Sequence, residues 1–252
     1  MNEHYKIIVA GYNCFDMIQN CVDSIASQTY TDYDVCLVDD ASTDSRQAPL
    51  VEKLAVEHGW KHLQREVNAG ALRSQHEGIT LMYPKDGDVI VWVDMDDAFS
   101  GPSSLATLDS YYETDTPMTY GNYQSVPYAE GCPTPGRYPE ECERDNDYRR
   151  MLQWGIRYNH LRTVRWDLYK HLVVETDFMV DGQWMNLASD CAVMIPCLEM
   201  SGGKYKFIEE VLYSYTSDNP ISEWRKAPRG TDHMHEHLMR SPKKSPIKVG
   251  SL

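Results

Sequence analysis

Residues 34–44 read DVCLVDDASTD, and this stretch decides the fold. Its first part, DVCLV, is a short, almost wholly apolar run, the pattern of a strand buried on both faces as in a parallel sheet. Asp39 and Asp40 stop the run, and the following ASTD supplies N-cap chemistry for a helix through Leu54 and Val56. Strand, polar turn and helix together make half of a βαβ unit. Upstream, residues 5–10 (YKIIVA) form a second such run that halts at Gly11, and Met17, Ile18, Cys21, Val22 and Ile25 then recur at helical spacing. Downstream come a short strand near residues 60–64, a helix over 71–82 and a strand over 88–93. Residues 1–100 therefore read as half of a doubly wound α/β sheet, Rossmann-like, mostly parallel and flanked by helices.

Ligands of such sheets bind beyond the carboxyl ends of the strands. Three of these ends carry polar groups: Gly11, Tyr12 and Asn13; Asp39, Asp40 and Ser42; and Asp94, Asp96 and Asp97 within VWVDMDDAF (residues 91–99). Three carboxylates within four residues repel one another and are costly to desolvate, so this end faces water or holds a cation. One acidic pair alone reads equally well as a helix cap or a solvated turn. Acidic groups recurring at equivalent strand ends are the functional signal.

Beyond residue 100 the periodicity breaks. Pro117, Pro127, Pro133, Pro135 and Pro139, with six Tyr between 111 and 138, predict loops and short strands that form a mobile cover. Residues 151–169 read as helical in places, with an apolar stripe in VRWDLYKHL; 190–200 read as an apolar helix closed by Gly202 and Gly203, and 205–215 as strands joined by a turn. Residues 101–240 form the second half of the same domain, and the basic segment 241–252 is expected to be a loose tail.

The 252 residues are 42% hydrophobic and 25% charged, an ordinary globular balance. With 24 Lys and Arg against 38 Asp and Glu, the net charge of −14 argues against a nucleic-acid partner, which needs clustered basic surface. An anionic ligand needs the local field inverted by a metal ion or by placed Arg and Lys. No segment reaches the length of a membrane span, the first apolar run is too short for a signal peptide, and the chain reads as cytoplasmic. The seven Cys include no CxxC pair and read as reduced; Cys132 and Cys142 would pair only in an oxidising compartment.

Taken together, IIVAGYN, CVDSIASQTYTDYDVCLVDDASTD, VNAGALRSQHEG, VWVDMDDAF and ASDCAVMIPCLEMSGGKYKFIEEVLYSY resemble the inverting glycosyltransferases of family 2, which have the GT-A fold. The first four cover the N-terminal hundred residues closely, and the acceptor-side half matches more loosely. The resemblance implies transfer from a UDP-sugar donor to the hydroxyl of a saccharide or other acceptor, in polysaccharide or glycan synthesis. It implies that Asp94 and Asp96, as the family's DxD motif, hold Mn²⁺ or Mg²⁺ on the donor diphosphate, with Met95 between them and Asp97 as a further ligand or orienter. Asp39 and Asp40, with Ser42 close by, match the contact to the uracil base; Gly11, Tyr12 and Asn13 match the first strand's contact to the nucleotide, though the usual Pro is absent.

Asn68 and Arg73 belong to the run facing the donor, where the family's commoner Arg position holds Gln75. Asp190 matches the catalytic base that takes the acceptor's proton, and an N-cap of the following helix is its other reading. Asp218 falls where many members carry a metal-binding His, and the resemblance makes it a further oxygen ligand of the metal. His233, His235 and His237 in TDHMHEHLMR could bind a transition metal but read better as solvated or stacked, and SEWRKAPRG (222–230) would suit a lid over the diphosphate. Trp154, His160, Arg162, Arg165, Trp166 and Trp184 are the candidates for acceptor contacts, with core packing the ordinary role of each Trp. A nucleotidyltransferase and a non-catalytic nucleotide-sugar-binding protein are the rival readings; the first normally has a Gly-rich phosphate loop that IIVAGYNCFDM lacks.

Overall fold

A computed structural model describes residues 3–113, 115–128, 134–153, 155, 157–187, 189–221 and 232–247 of the chain, with side chains omitted at 153 and 232–234. Strand β1 (Tyr5–Gly11) runs parallel to β2 (Tyr33–Asp39) on one side and to β4 (Val89–Asp94) on the other, and β3 (Lys61–Gln64) extends the parallel ladder beyond β2. Register aligns Gly11 with Asp39 and Ala10 with Asp94, so the polar strand ends meet on one edge.

The second half continues the same sheet with mixed polarity. Strands β6 (Met118–Val126), β7 (Arg162–Arg165) and β10 (Lys206–Thr216), with the two-residue β5 (Ala98–Phe99), complete the order β3-β2-β1-β4-β7-β6-β10-β5. Strand β7 is antiparallel to both neighbours, whereas β6 and β10 are parallel. A small hairpin of β8 (Met179–Val180) and β9 (Gln183–Trp184) stands apart from the main sheet.

Strand alternation gives the sheet two apolar faces. Ile7 and Val9 of β1 and Val89, Val91 and Val93 of β4 pack with α1 (Ile18–Ala26), α2 (Gln47–His58) and α4 (Ser104–Tyr111). Ile8, Ala10, Ile90 and Trp92 face α3 (Ala71–Met82) and the apolar α7 (Ser189–Ser201). Gly78 is where α3 lies closest to the sheet: a Cβ there would stand 2.9 Å from Val38 Cγ2 and 3.0 Å from Ile8 Cγ2.

Four expectations are corrected. Residues 162–165 form a strand, because Thr163 and Val164 are β-branched, fully buried and paired on both sides; helix in the described part of 151–169 is limited to a 3-10 turn that ends at Gln153 and to α6 (Trp166–Tyr169). Residues 206–216 make one strand, whose register shifts around Val211 absorb what read as a turn. The Tyr-rich stretch supplies core: Tyr112, Tyr120 and Tyr138 are buried, and Tyr120 stacks on Tyr205 at 5.4 Å.

Lastly, residues 241–247 are docked. Arg149, itself buried, donates to the buried Glu199 of α7 at 2.6 and 3.0 Å and to the carbonyls of Leu238, Ser241 and Pro242. Lys244 N donates to Glu199 at 2.8 Å, Lys244 Nζ pairs with Asp177, and Ile247 N reaches Met200 O at 2.9 Å. This hub also holds α8 (Asp232–Arg240) through Leu238.

Gly78→Ala should destabilise the protein. In an open helix the change gains about 1 kcal/mol, but here the new methyl meets two stiff β-branched side chains and overpacking costs about 1–3 kcal/mol. Urea denaturation reads the sign directly. Arg149→Ala, which strands a buried carboxylate, should cost about 3–5 kcal/mol and raise amide exchange through residues 238–247 before other segments.

Candidate active site

A cavity of about 550 Å³ opens over the aligned strand ends. Asp94 and Asp96 line it, whereas Met95 between them is fully buried, because the period-two alternation of β4 continues past its end. Gly11 permits this: a Cβ there would stand 2.5 Å from Met95 Cβ. The end of β10 fastens the acidic turn. Tyr213 Oη accepts from Asp94 N at 2.9 Å, Thr216 N donates to Asp97 Oδ1 at 2.7 Å, and Asn219 Nδ2 donates to Asp96 Oδ2 at 2.6 Å.

The opposite wall brings Asp190, in the first turn of α7, with its Oδ1 accepting from Cys191 N at 3.0 Å. Between the walls stands Arg162 of β7, its Nη2 3.6 Å from Asp94 Oδ2 and its Nη1 3.5 Å from Asp190 Oδ2. His160 lines the cavity beside it, stacked on Tyr213 at 4.4 Å and 12°. Burial raises the Asp94 carboxyl to about 6, with Arg162 opposing and the charges of Asp96 and Asp190 reinforcing the shift. Burial, then Asp96 and Asp94, pushes Asp97 well above the usual carboxylate range. Burial and then Arg162 hold His160 well below its ordinary value, leaving a neutral imidazole.

On the β1–β2 side, Tyr12, Asp40 and Asn68 line the cavity. Asp40 accepts from Ala69 N at 3.0 Å and Gly70 N at 2.8 Å, pairs with Arg65 at 3.2 Å, and is raised by burial. Those bonds strap the segment before α3 onto the end of β2, and Gly70 enters the helix at φ +84°.

Several expected contacts are elsewhere. Asp39 is buried behind the wall, its carboxylate taken by Ser42 Oγ at 2.5 Å, Gln47 Nε2 at 2.8 Å and Gln64 Nε2 at 2.7 Å. Asn13 turns its Oδ1 to the amides of Thr43 and Asp44, and its own N–H donates to Ser42 Oγ. Asn13, Asp39 and Ser42 thus form the brace that holds Tyr12. Arg73 pairs with Glu77 at 2.9 Å and lies over Trp184 outside the cavity, while Gln75 lines it. Asp218 is exposed; its neighbour Asn219 takes the place beside Asp96.

Among the acceptor candidates, His160 and Arg162 reach the cavity, Arg165 pairs with Glu3 at 2.7 Å, and Trp166 and Trp184 stack on Tyr169 and Phe178. His235 lies 4.0 Å from Cys191 Sγ. Trp154, Cys132, the side chain of His233 and the segment 222–230 fall outside the described residues. The six described Cys are free and buried, and no described helix is long and apolar enough to cross a membrane. Tyr215 and Asn219 also line the cavity without having been singled out; no spacing links them to the acidic turn, which only the long strand β10 brings near.

A half-parallel sheet with an acidic turn at its central edge is the GT-A arrangement, and comparison with known proteins agrees. The model of "Glycosyl transferase family 2" matches residues 6–177. The chain belongs to glycosyltransferase family 2. Glycosyltransferase GlyA of Streptococcus pneumoniae is 28% identical over 131 residues, 52% of this chain and 18% of that protein. S. aureus TarS superposes with a TM-score of 0.64 at 20% identity, over 84% of this chain and 60% of that one, and TarS has also been solved with UDP and with UDP-GlcNAc. Mannosyltransferase PcManGT of Pyrobaculum calidifontis, in complex with GDP-Man and Mn²⁺, gives 0.63 at 17% identity, over 98% and 68%. The chain spans less than half the length of its first curated relatives. Family membership sets the nucleotidyltransferase reading aside.

The raised carboxyl of Asp94 has a measurable consequence for the metal-free fold. Its stabilising contribution is fully present below about pH 4, the unfolded value, and is lost as pH rises through about 6. In chelator, wild type should therefore lose stability across that window relative to Asp94→Asn, which has no proton to release; parallel profiles for the two proteins would refute the shift.

Proposed function

We propose that this chain is a metal-dependent inverting glycosyltransferase that moves a sugar from a UDP-sugar donor to an acceptor hydroxyl in polysaccharide or glycan synthesis. The observation that carries the reading is the pair of carboxylates, Asp94 and Asp190, facing each other across one cavity with Arg162 between them. Donor complexes of TarS with UDP-GlcNAc and of PcManGT with GDP-Man and Mn²⁺ support it by the shared fold.

The residues suit a divalent cation. Among the described residues, the guanidinium of Arg162 pairs with Asp94 and Asp190, and Asp97 keeps a buried oxygen without a hydrogen-bond partner. Oxygen donors of this kind match Mn²⁺ or Mg²⁺. Asp94, Asp96 and Asp97 would hold the ion, which when bound neutralises the charge of the diphosphate leaving group.

The remaining work falls to side chains of the chain itself. Tyr12 offers its ring to the uracil, with Gly11 giving room and Asn13, Asp39 and Ser42 bracing the turn; Asp40, the carboxylate of that pair that lines the cavity, reads the base edge beside Asn68. Asp190 accepts the acceptor's proton at its carboxylate as the oxygen attacks the anomeric carbon from the face opposite the diphosphate. Arg162 holds Asp190 across the cavity and adds positive charge near the leaving group.

Screening UDP-sugars for Mn²⁺-dependent thermal stabilisation identifies the donor. With it, Asp190→Asn should leave donor affinity unchanged by calorimetry and slow UDP release to acceptor by about 10²–10⁴-fold. Normal turnover in that variant removes Asp190 from the base role, and UDP binding indifferent to Mn²⁺ removes the metal.

A further inference from the structure

His160 was expected to touch the acceptor, yet its surroundings suit another role. The residue is 8% exposed and its ring Nδ1 has no hydrogen-bond partner; its Nε2 meets Asp94 Oδ2 at 3.8 Å, too long for a hydrogen bond. A buried imidazole normally satisfies both nitrogens, so a ring with Nδ1 unsatisfied and Nε2 beyond hydrogen-bond reach of Asp94 departs from the usual pattern. Asp97, 1% exposed, likewise keeps Oδ2 without a partner while Oδ1 is fixed by Thr216. One ligand atom each from Asp94, Asp97 and His160 lie within 4.8 Å of one another.

The neighbouring acidic residues differ in position. Asp96 turns its Oδ2 to Asn219, and Asp218 is exposed. Stacking on Tyr213 holds the imidazole plane, and the same Tyr213 holds Asp94 through its backbone N–H. The three side chains are thereby fixed by one buried tyrosine and the end of β10. Two ligands of one ion at about 2.0–2.2 Å each lie no more than about 4.4 Å apart, so small side-chain rotations close the cluster.

We propose that His160 is a nitrogen ligand, together with Asp94 and Asp97, of the divalent cation in this cavity, and that it makes the site select a transition ion over Mg²⁺. The assignment rests on the metal-dependent reading above. Its chemical basis is ligand type: imidazole suits first-row transition ions, whereas Mg²⁺ keeps an oxygen shell and gives up water reluctantly. Asp96, whose Oδ2 accepts from Asn219, keeps its other carboxylate oxygen for the same ion.

The test is pulsed electron paramagnetic resonance of the full chain loaded with Mn²⁺ alone. Expected is a directly coupled ¹⁴N signal that changes to the ¹⁵N pattern in protein labelled only at histidine, and that vanishes in His160→Asn. Mn²⁺ affinity should fall at least about ten-fold in that variant, and its preference over Mg²⁺ should shrink. In the labelled wild type, the absence of the ¹⁵N pattern refutes the assignment even if the variant does not fold. Bound Mn²⁺ without nitrogen coupling, or coupling that survives His160→Asn, overturns the assignment while leaving metal dependence intact. An absence of Mn²⁺ binding overturns both.

Discussion

The guanidinium of Arg162 is the contact on which the arrangement of the site depends. It comes from the short antiparallel strand β7, inserted between the parallel N-terminal ladder and the second half of the sheet, and it reaches Asp94 at the end of β4 and Asp190 at the start of α7. Without a cation there, the carboxylates of the acidic turn would face Asp190 across a partly desolvated cavity. Like charges repel more strongly as the effective dielectric falls, by about 4 kcal/mol at 4 Å for a dielectric near 20. A single buried arginine therefore fixes the distance between the two walls and leaves an excess of negative charge for a divalent ion to answer. Its own fully planar fork suits that place better than a lysine would, because it addresses both carboxylates at once.

The N-terminal half was legible because each of its strands is a continuous apolar run ended by polar residues, and burial on both faces demands that pattern. Helix 71–82 and the strand ends at Gly11, Asp39 and Asp94 stand where the pattern placed them. The second half was less legible because its strands are unequal. Strand β7 has four residues, two of them Arg, and its stability comes from pairing on both sides rather than from its own composition. The docked segment 241–247 looks like a basic tail until Arg149 and Glu199, fifty residues apart, are seen to share it.

The site shows the same division. Acidic groups grouped along the chain were readable, but their partners were not. His160 and Arg162 lie more than sixty residues beyond Asp94, and Asn219 more than a hundred beyond Asp96. Asp39 and Asp40 are adjacent in sequence, yet one is bonded to saturation behind the wall and the other lines the cavity. Strand alternation explains that split: neighbouring residues at a strand end point to opposite faces, so a paired acidic motif necessarily divides its labour.

Alternation also explains why the acidic turn has the spacing it does. Even-numbered residues of β4 face the α3 and α7 side, and odd-numbered residues face α1 and α4. Asp94 and Asp96 continue the even series into the cavity, while Met95 continues the odd series into the apolar core. A buried methionine thus anchors a turn whose flanking carboxylates repel each other, and the glycine of β1 opposite it is the only residue type that leaves room. Hydrophobic burial of one side chain, worth about 1.5–3 kcal/mol, is the force that keeps two charges side by side where a cation can use them.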